Sequence, residues 1–170
     1  MKEIEVKILE VDVKKIRRVL RKKGRFLKKV FQTNLFYASS FTKNKKITVR
    51  IRKEGKRNIL TVKSGMKFKE GKKIREEYEI VVDDFVSLEN IIVSLGFVRT
   101  KLAEMKREYW NLYGCSVEFC TLPKIPTYLE IEGSSKNIDR VSGLLGFSKK
   151  DFFTGFPQKH YGIDKKIIRF

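Results

Sequence analysis

Charge and hydrophobicity alternate residue by residue in segment after segment, and no other feature limits so tightly what this chain can become. Residues 3–7 read EIEVK, 49–53 VRIRK, 73–80 KIREEYEI and 128–132 YLEIE. Successive side chains of a strand point to opposite faces. One face therefore collects Glu3, Glu5 and Lys7 in the first segment, and Arg50 and Arg52 in the second. By the same parity it collects Thr61 with Lys63, then Lys73, Arg75, Glu77 and Glu79, then Arg107 with Tyr109, and finally Glu130 with Glu132. An antiparallel sheet with one wet face also alternates, but Thr, Ser or Gln would serve it as well as these recurring charges. Amphipathic helices elsewhere need an apolar sheet face to pack on, which leaves the charged face on the far side. If the sheet curls closed, that face becomes the inside.

Helical spacing replaces alternation three times. Val13, Ile16 and Leu20 form one stripe, with Asp12 as cap and Gly24 as stop. Phe85, Leu88, Ile91, Ile92 and Leu95 form a second, capped by Asp83 or Asp84 and ended by Gly96. Ile138, Val141, Leu144 and Leu145 form a third. The two later helices end in the same LGF, at 95–97 and 145–147, and the first in GRF at 24–26. A faint repeat would explain this, but glycine followed by a hydrophobe is a common helix stop and is the simpler reading. Strand-like segments fall near 3–11, 26–38, 46–53, 57–64, 72–82, 97–111, 115–121 and 126–133. The expectation is an α+β chain of about eight strands and three helices, with largely antiparallel connections. Three prolines in 170 residues leave no Pro-rich linker, so residues 1–170 read as one domain.

Composition narrows the chemistry. A formal net charge of +19 attracts polyanions: nucleic acid, an acidic membrane or a polyphosphate small molecule. Cys115 and Cys120, five apart in one strand, fall on opposite faces and make neither a disulfide nor a metal motif. His160 is the sole histidine, which argues against a His-based zinc or catalytic site. No apolar run approaches bilayer length and the first residues lack a signal-peptide core, so a reduced, cytoplasmic protein without membrane contact is expected. Clustered carboxylates suit hard cations such as Mg²⁺ or Mn²⁺. Arginine and lysine on the facing walls suit phosphate oxygens. Together they describe a site for a metal-bound polyphosphate.

These segments resemble the CYTH, or triphosphate tunnel metalloenzyme, superfamily. EIEVK is similar to its N-terminal ExExK strand. QTNLFY (32–37), VRIR, LTVKSG, REEYE, KREYW and YLEIE resemble its later strands in order, over nearly the whole chain. The resemblance implies an eight-stranded antiparallel barrel, open at both ends, with charged side chains filling the tunnel and about three helices outside. It implies Mg²⁺ or Mn²⁺ held by Glu3, Glu5, Glu130 and Glu132. Lys7, Arg50, Arg52, Lys63, Arg75 and Arg107 would grip the triphosphate, Glu77 and Glu79 would orient those groups or support a second metal, and Tyr161 resembles a tyrosine that helps close the tunnel.

The sequence departs from the family's pattern in three places. Cys120 stands where an aspartate is expected, and thiols prefer softer metals; Glu118, two residues earlier on the same face, is the replacement carboxylate. Met105 stands where a lysine often precedes the arginine, and Lys106 points to the other face. Asn34 replaces an aspartate, keeping an oxygen and losing a charge.

The expected activity is metal-dependent hydrolysis of a terminal phosphoanhydride in inorganic triphosphate, a nucleoside triphosphate or thiamine triphosphate. Glu130 and Glu132 would place the attacking water, or Lys7 would act as base if the tunnel lowers its pKa. A class IV adenylyl cyclase shares these residues and is the alternative; a polyphosphate- or RNA-binding protein with impaired catalysis is a further one. The basic run at 14–29 raises nucleic acid as a secondary partner, although a solvated helix face explains it as well. A homodimer is compatible with the reading, with no seam legible. GFPQKHYG (155–162) reads as a docked tail in preference to a lid.

Overall fold

A computed structural model describes residues 1–163 and 165–170. The strands are β1 (Lys2–Ile8), β2 (Arg25–Ala38), β3 (Thr48–Glu54), β4 (Arg57–Lys69), β5 (Lys72–Val82), β6 (Val98–Leu112), β7 (Cys115–Thr121), β8 (Tyr128–Glu132) and β9 (Ile167–Ile168). The helices are α1 (Val13–Lys23), α2 (Ser40–Asn44), α3 (Phe85–Ser94), α4 (Ser135–Leu144) and α5 (Pro157–His160), with a 3₁₀ turn at Lys149–Asp151. Strands run β2-β3-β4-β5-β1-β8-β7-β6 around the sheet, and β2 pairs back onto β6. This closes an eight-stranded antiparallel barrel with the helices outside, as expected. β9 pairs in parallel with β6 beside Leu102 and Ala103. Among the described residues no helix is long and apolar enough to cross a membrane.

Parity sorts the two faces of the wall. Val6, Ile8, Val117, Phe119, Leu129 and Ile131 turn outward and bury against Ile16 and Leu20 of α1 and Ile138 and Val141 of α4. On the opposite side Leu35, Tyr37, Val49 and Ile51 pack on Leu88 and Ile92 of α3. Each buried aliphatic side chain is worth about 1.5–3 kcal/mol, so these outer clusters, not the charged interior, supply the folding energy. Ile91 and Leu95, expected in the α3 stripe, are exposed. Ile91 lies at the edge of the stripe, and Leu95 is the cap beyond the last turn. Cys115 joins the outer core and Cys120 lies on the inner parity; both are free and buried.

The glycine stops differ in kind. Gly96 and Gly146 have φ of 82° and 90°, the left-handed cap that favours glycine. Gly24 has φ −105° and is needed for space, since a Cβ there would meet Leu20 O at 3.0 Å and Asn111 O at 3.1 Å. The LGF likeness is thus shared capping, and the GRF segment uses another device. α2, α5 and β9 fall outside the sequence expectation because five, four and two residues are too few to show a period.

Met105, Cys120 and Tyr128 meet Leu122 and Ile125 of the β7–β8 connection in an apolar cluster, and Leu9, Tyr161 and Ile163 pack onto it.

One polar clasp holds α1 to the wall. Arg17 donates from Nε and Nη2 to the two oxygens of Glu108, at 3.0 and 2.9 Å, and Trp110 Nε1 donates to Oε1 at 2.8 Å. Burial would raise the Glu108 carboxyl, but these donors override it and hold the group below its ordinary 4.5. A depressed carboxylate contributes stability that is complete above the ordinary value and lost as pH falls through the folded one. Glu108→Gln is therefore expected to cost about 1–2 kcal/mol at pH 7. In thermal melts the gap between variant and wild type should close by pH 3; an equal gap at both pH values would contradict the clasp.

Candidate active site

Strand register brings the charges together inside the barrel. Across β1 and β5, Glu3 faces Arg75 and Glu5 faces Lys73; across β1 and β8, Lys7 faces Glu130 and Glu5 faces Glu132. Lys63 faces Glu77, and Glu118 faces Glu130. The cavity they line is about 700 Å³. Its walls carry Lys7, Lys28, Arg50, Arg52, Lys63, Lys73, Arg75 and Arg107 against Glu3, Glu5, Glu54, Glu77, Glu79, Glu118, Glu130 and Glu132. By formal count the lining balances, eight Lys and Arg against eight Glu, so the formal excess of +19 lies outside it.

The pairs are close. Lys7 Nζ lies 2.8 Å from Glu5 and 3.6 Å from Glu130, and Lys73 Nζ is 3.0 Å from Glu5. Lys63 Nζ bridges Glu3 at 2.6 Å and Glu77 at 2.9 Å. Arg107 spans Glu118 at 2.7 Å and Glu130 at 2.9 Å. Arg52 donates to Glu79 at 3.1 Å, and Thr61 donates to the same carboxylate at 2.7 Å. Burial opposes every one of these charges. At Glu5 it is outweighed by Lys7, Lys73 and Arg75, which hold the carboxyl well below its usual range. At Lys7 it is outweighed by Glu130 and Glu5, so the ammonium titrates above 10.5. A base role for Lys7 needs a lowered pKa; the metal-free lumen raises it and keeps Lys7 a cation.

Several polar atoms remain unmatched. The Nε–H groups of Arg50 and Arg52 are buried with no acceptor, while Arg75 Nε lies 3.3 Å from Glu3 Oε2 in an ion pair that falls short of hydrogen-bond geometry. Two orphan guanidinium donors facing one cavity fit an anion with many oxygens.

Two acidic clusters are candidate cation sites, and their chemistry differs. Glu3, Glu77 and Glu132 bring carboxylate oxygens within 4.8 Å of one another. Burial, then Glu3 and Glu118, push the Glu132 carboxyl up to about 8. The donor set is all oxygen and like-charge crowding raises Glu132, so a hard divalent cation fits once the Lys63 ammonium that bridges Glu3 and Glu77 gives way. Glu118, Cys120 and Glu130 also converge, but Arg107 already occupies both carboxylates. Burial holds the Cys120 thiol far above its ordinary value and therefore neutral, so this second set fits a hard cation poorly. Of the four expected metal ligands, Glu3 and Glu132 come together with Glu77, Glu130 converges with Glu118 and Cys120, and Glu5 is held by Lys7 and Lys73.

A family model, the CYTH domain, matches residues 1–145. The chain belongs to the CYTH family. A curated candidate adenylate cyclase of Methanocaldococcus jannaschii is 28% identical over 149 residues, covering 85% of this chain and 84% of its own. The PH1012 protein of Pyrococcus horikoshii superposes with a TM-score of 0.78 at 22% identity, covering 92% of this chain and 98% of its own. A candidate adenylyl cyclase of Hippeastrum, described as having a dominant triphosphatase activity, gives 0.67 at 22% identity, with coverage of 94% and 95%. At these identities the two structures speak to fold alone.

Within the CYTH barrel all six expected phosphate grips line the cavity. Met105 lines it too, and its Sδ accepts from Arg107 Nε at 3.0 Å; Lys106 faces outward with Nζ 4.1 Å from the Phe170 ring centroid. Tyr161 is not in the lining; it packs in the apolar cluster with Leu122 and Ile125, while Phe156 and Gln158 of the same tail reach the cavity. Lys73, Lys28 and Tyr109 are lining residues outside the expected phosphate set. Parity with Arg75 puts Lys73 on this face. Phe156 and Gln158 carry no periodic signal.

The crowding at Glu132 has a measurable consequence. A carboxyl raised from 4.5 to about 8 costs stability progressively as pH rises through that interval, because the folded state resists losing the proton. In EDTA, Glu132→Gln should melt like wild type at pH 5 and several degrees higher at pH 9. A variant no more stable at pH 9 would contradict the crowding.

Proposed function

We propose that the lumen is the site of a metal-dependent triphosphatase, which hydrolyses a terminal phosphoanhydride of inorganic triphosphate, a nucleoside triphosphate or thiamine triphosphate. The observation that carries this reading is the pair of buried guanidinium donors without acceptors on Arg50 and Arg52, in a cavity that also holds an all-carboxylate cluster. Arg50, Arg52 and Arg75 bind the phosphate oxygens, with Lys7, Lys63 and Arg107 flanking them. Unit charges 4 Å apart attract by about 4 kcal/mol at an effective dielectric of 20, so several such contacts offset the desolvation of a polyanion. Mg²⁺ or Mn²⁺ held by Glu3, Glu77 and Glu132 would add positive charge beside the phosphate grips and draw the proton off Glu132.

Glu130 stays ionised despite its burial, because Arg107 and Lys7 outweigh it. An ionised carboxylate next to the phosphate grips orients water for in-line attack on the terminal phosphorus and accepts its proton. The excess positive charge outside the barrel steers the anionic substrate toward the mouth. The cyclase reading draws on the name of the Methanocaldococcus relative; there the ribose 3′ oxygen would replace water and pyrophosphate would leave.

Phosphate release from tripolyphosphate, ATP and thiamine triphosphate tests both readings. Release is expected with Mg²⁺ or Mn²⁺, to vanish in EDTA, and to fall about 100-fold in kcat for Glu130→Gln. The ratio kcat/KM should drop as salt is added, because the steering field is screened. Cyclic AMP and pyrophosphate from ATP, without phosphate, would replace the triphosphatase with the cyclase. No turnover with any metal would sink the enzyme reading.

A further inference from the structure

Outside the barrel, cations and aromatic rings interleave along one wall. Where β2 pairs with β6, Phe26 lies opposite Trp110, Lys29 opposite Glu108 and Phe31 opposite Lys106. α3 covers β2 from Leu35 onward, and α1 reaches β6 at Glu108 and Trp110. The stretch between stays open, with Phe26 and Phe31 51% and 46% exposed. Phe26 stands edge-on to Trp110 at 5.2 Å between centroids, and Phe31 lies 6.0 Å from the exposed ring of Phe170. Two aromatic stations result, about 13 Å apart along β6 at the usual strand rise.

The surroundings of the rings are basic. Lys29 is exposed between the two stations, and Arg21, Arg25 and Lys106 are exposed around them. Arg17, Arg21 and Lys29 line, with Phe26 and Trp110, a hollow of about 450 Å³. The carboxylates of this wall are already engaged. Glu108 accepts from Arg17 and Trp110, while Glu104 accepts from Phe170 N at 2.9 Å and pairs with Arg169 at 3.8 Å. Neither α1 nor β2 contains an Asp or Glu, so the wall keeps a positive charge.

We infer that the outer wall of β2 and β6 is a docking surface for single-stranded nucleic acid, with Phe26 and Phe31 as stacking platforms and Arg21, Lys29 and Lys106 as phosphate contacts. Unpaired bases stack on exposed aromatic rings, and cations between the rings meet the phosphates that link those bases. A duplex offers the phosphates but keeps its ring faces stacked on one another. A lipid surface takes up a continuous apolar face, whereas here Lys29 separates the rings. The inference goes beyond the lumen reading and is independent of it, since none of these five residues lines the cavity.

Fluorescence anisotropy of the full chain with a labelled 5′-hydroxyl oligouridylate, and with a duplex of equal length, both in EDTA, tests this surface. The single strand should bind about tenfold more tightly than the duplex. Its log–log salt slope should be about −2 for three phosphate contacts, and Lys29→Gln should make it shallower by about 0.7. Phe26→Ala and Phe31→Ala should each weaken the single strand by roughly tenfold at an unchanged slope, and Phe26→Tyr should keep wild-type affinity. Equal affinity for single strand and duplex would overturn the inference, as would a single-strand affinity that neither alanine variant weakens. Cosedimentation with phosphatidylserine vesicles that needs both rings, without a preference for the single strand, would replace it with a lipid surface.

Discussion

Everything in the lumen depends on one constraint: carboxylates and cations meet across β1, β5 and β8 in a single register. A slip of one residue would send Glu3, Glu5 and Lys7 into the helix-packed core and Val6 and Ile8 into the cavity. The outer clusters on α1 and α4 forbid that slip, since they bury the alternate residues of the same strands. Stability and chemistry are thus written on opposite faces of each strand. Buried ion pairs add little net stability, yet breaking one leaves an uncompensated charge at a cost of about 3–5 kcal/mol. The interior is accordingly interdependent. Lys63 serves Glu3 and Glu77, Arg107 serves Glu118 and Glu130, and Glu5 is shared by Lys7, Lys73 and Arg75.

The charge balance of the lumen divides labour between inside and outside. With eight formal cations against eight carboxylates, of which Glu132 is held protonated near neutral pH, the lumen carries little net charge, and a divalent cation joining it would strengthen its hold on a triphosphate. The long-range attraction comes from surfaces such as α1, whose Lys14, Lys15, Arg18, Arg21, Lys22 and Lys23 are exposed and carry no role in the cavity. The sequence total of +19 thus describes approach to the site, not the site.

What was legible in the sequence follows from periodicity. The faces of β1, β3, β5 and β8 could be read because alternation is local, and antiparallel closure followed from those faces plus helices that need an apolar wall. Which carboxylates converge could not be read, because that depends on register between strands. Parity put Glu77 on the right face and the family resemblance allowed it a supporting place at a second metal, but neither told that it, rather than Glu5, meets Glu3 and Glu132. Cys120 reads in the sequence as a lost hard ligand, and its surroundings agree, since Arg107 has taken the neighbouring carboxylates. The tail shows the opposite limit. Docking was expected of GFPQKHYG, but Phe156 faces the cavity through a backbone bond to Lys7 and a glycine with no room for a side chain, and neither leaves a pattern.

The ion-pair network also constrains how ligands enter. Each cation that binds phosphate must loosen from a carboxylate, and each carboxylate that binds a metal must loosen from a cation. At Lys63 the two exchanges coincide, because its partners Glu3 and Glu77 belong to the all-oxygen cluster. On the triphosphatase reading, a divalent cation on that cluster would weaken the hold on the Lys63 ammonium and free it for phosphate, and a phosphate on Lys63 would likewise free the carboxylates. Metal and triphosphate would then favour one another through a shared residue, and by linkage the favour would be equal in both directions.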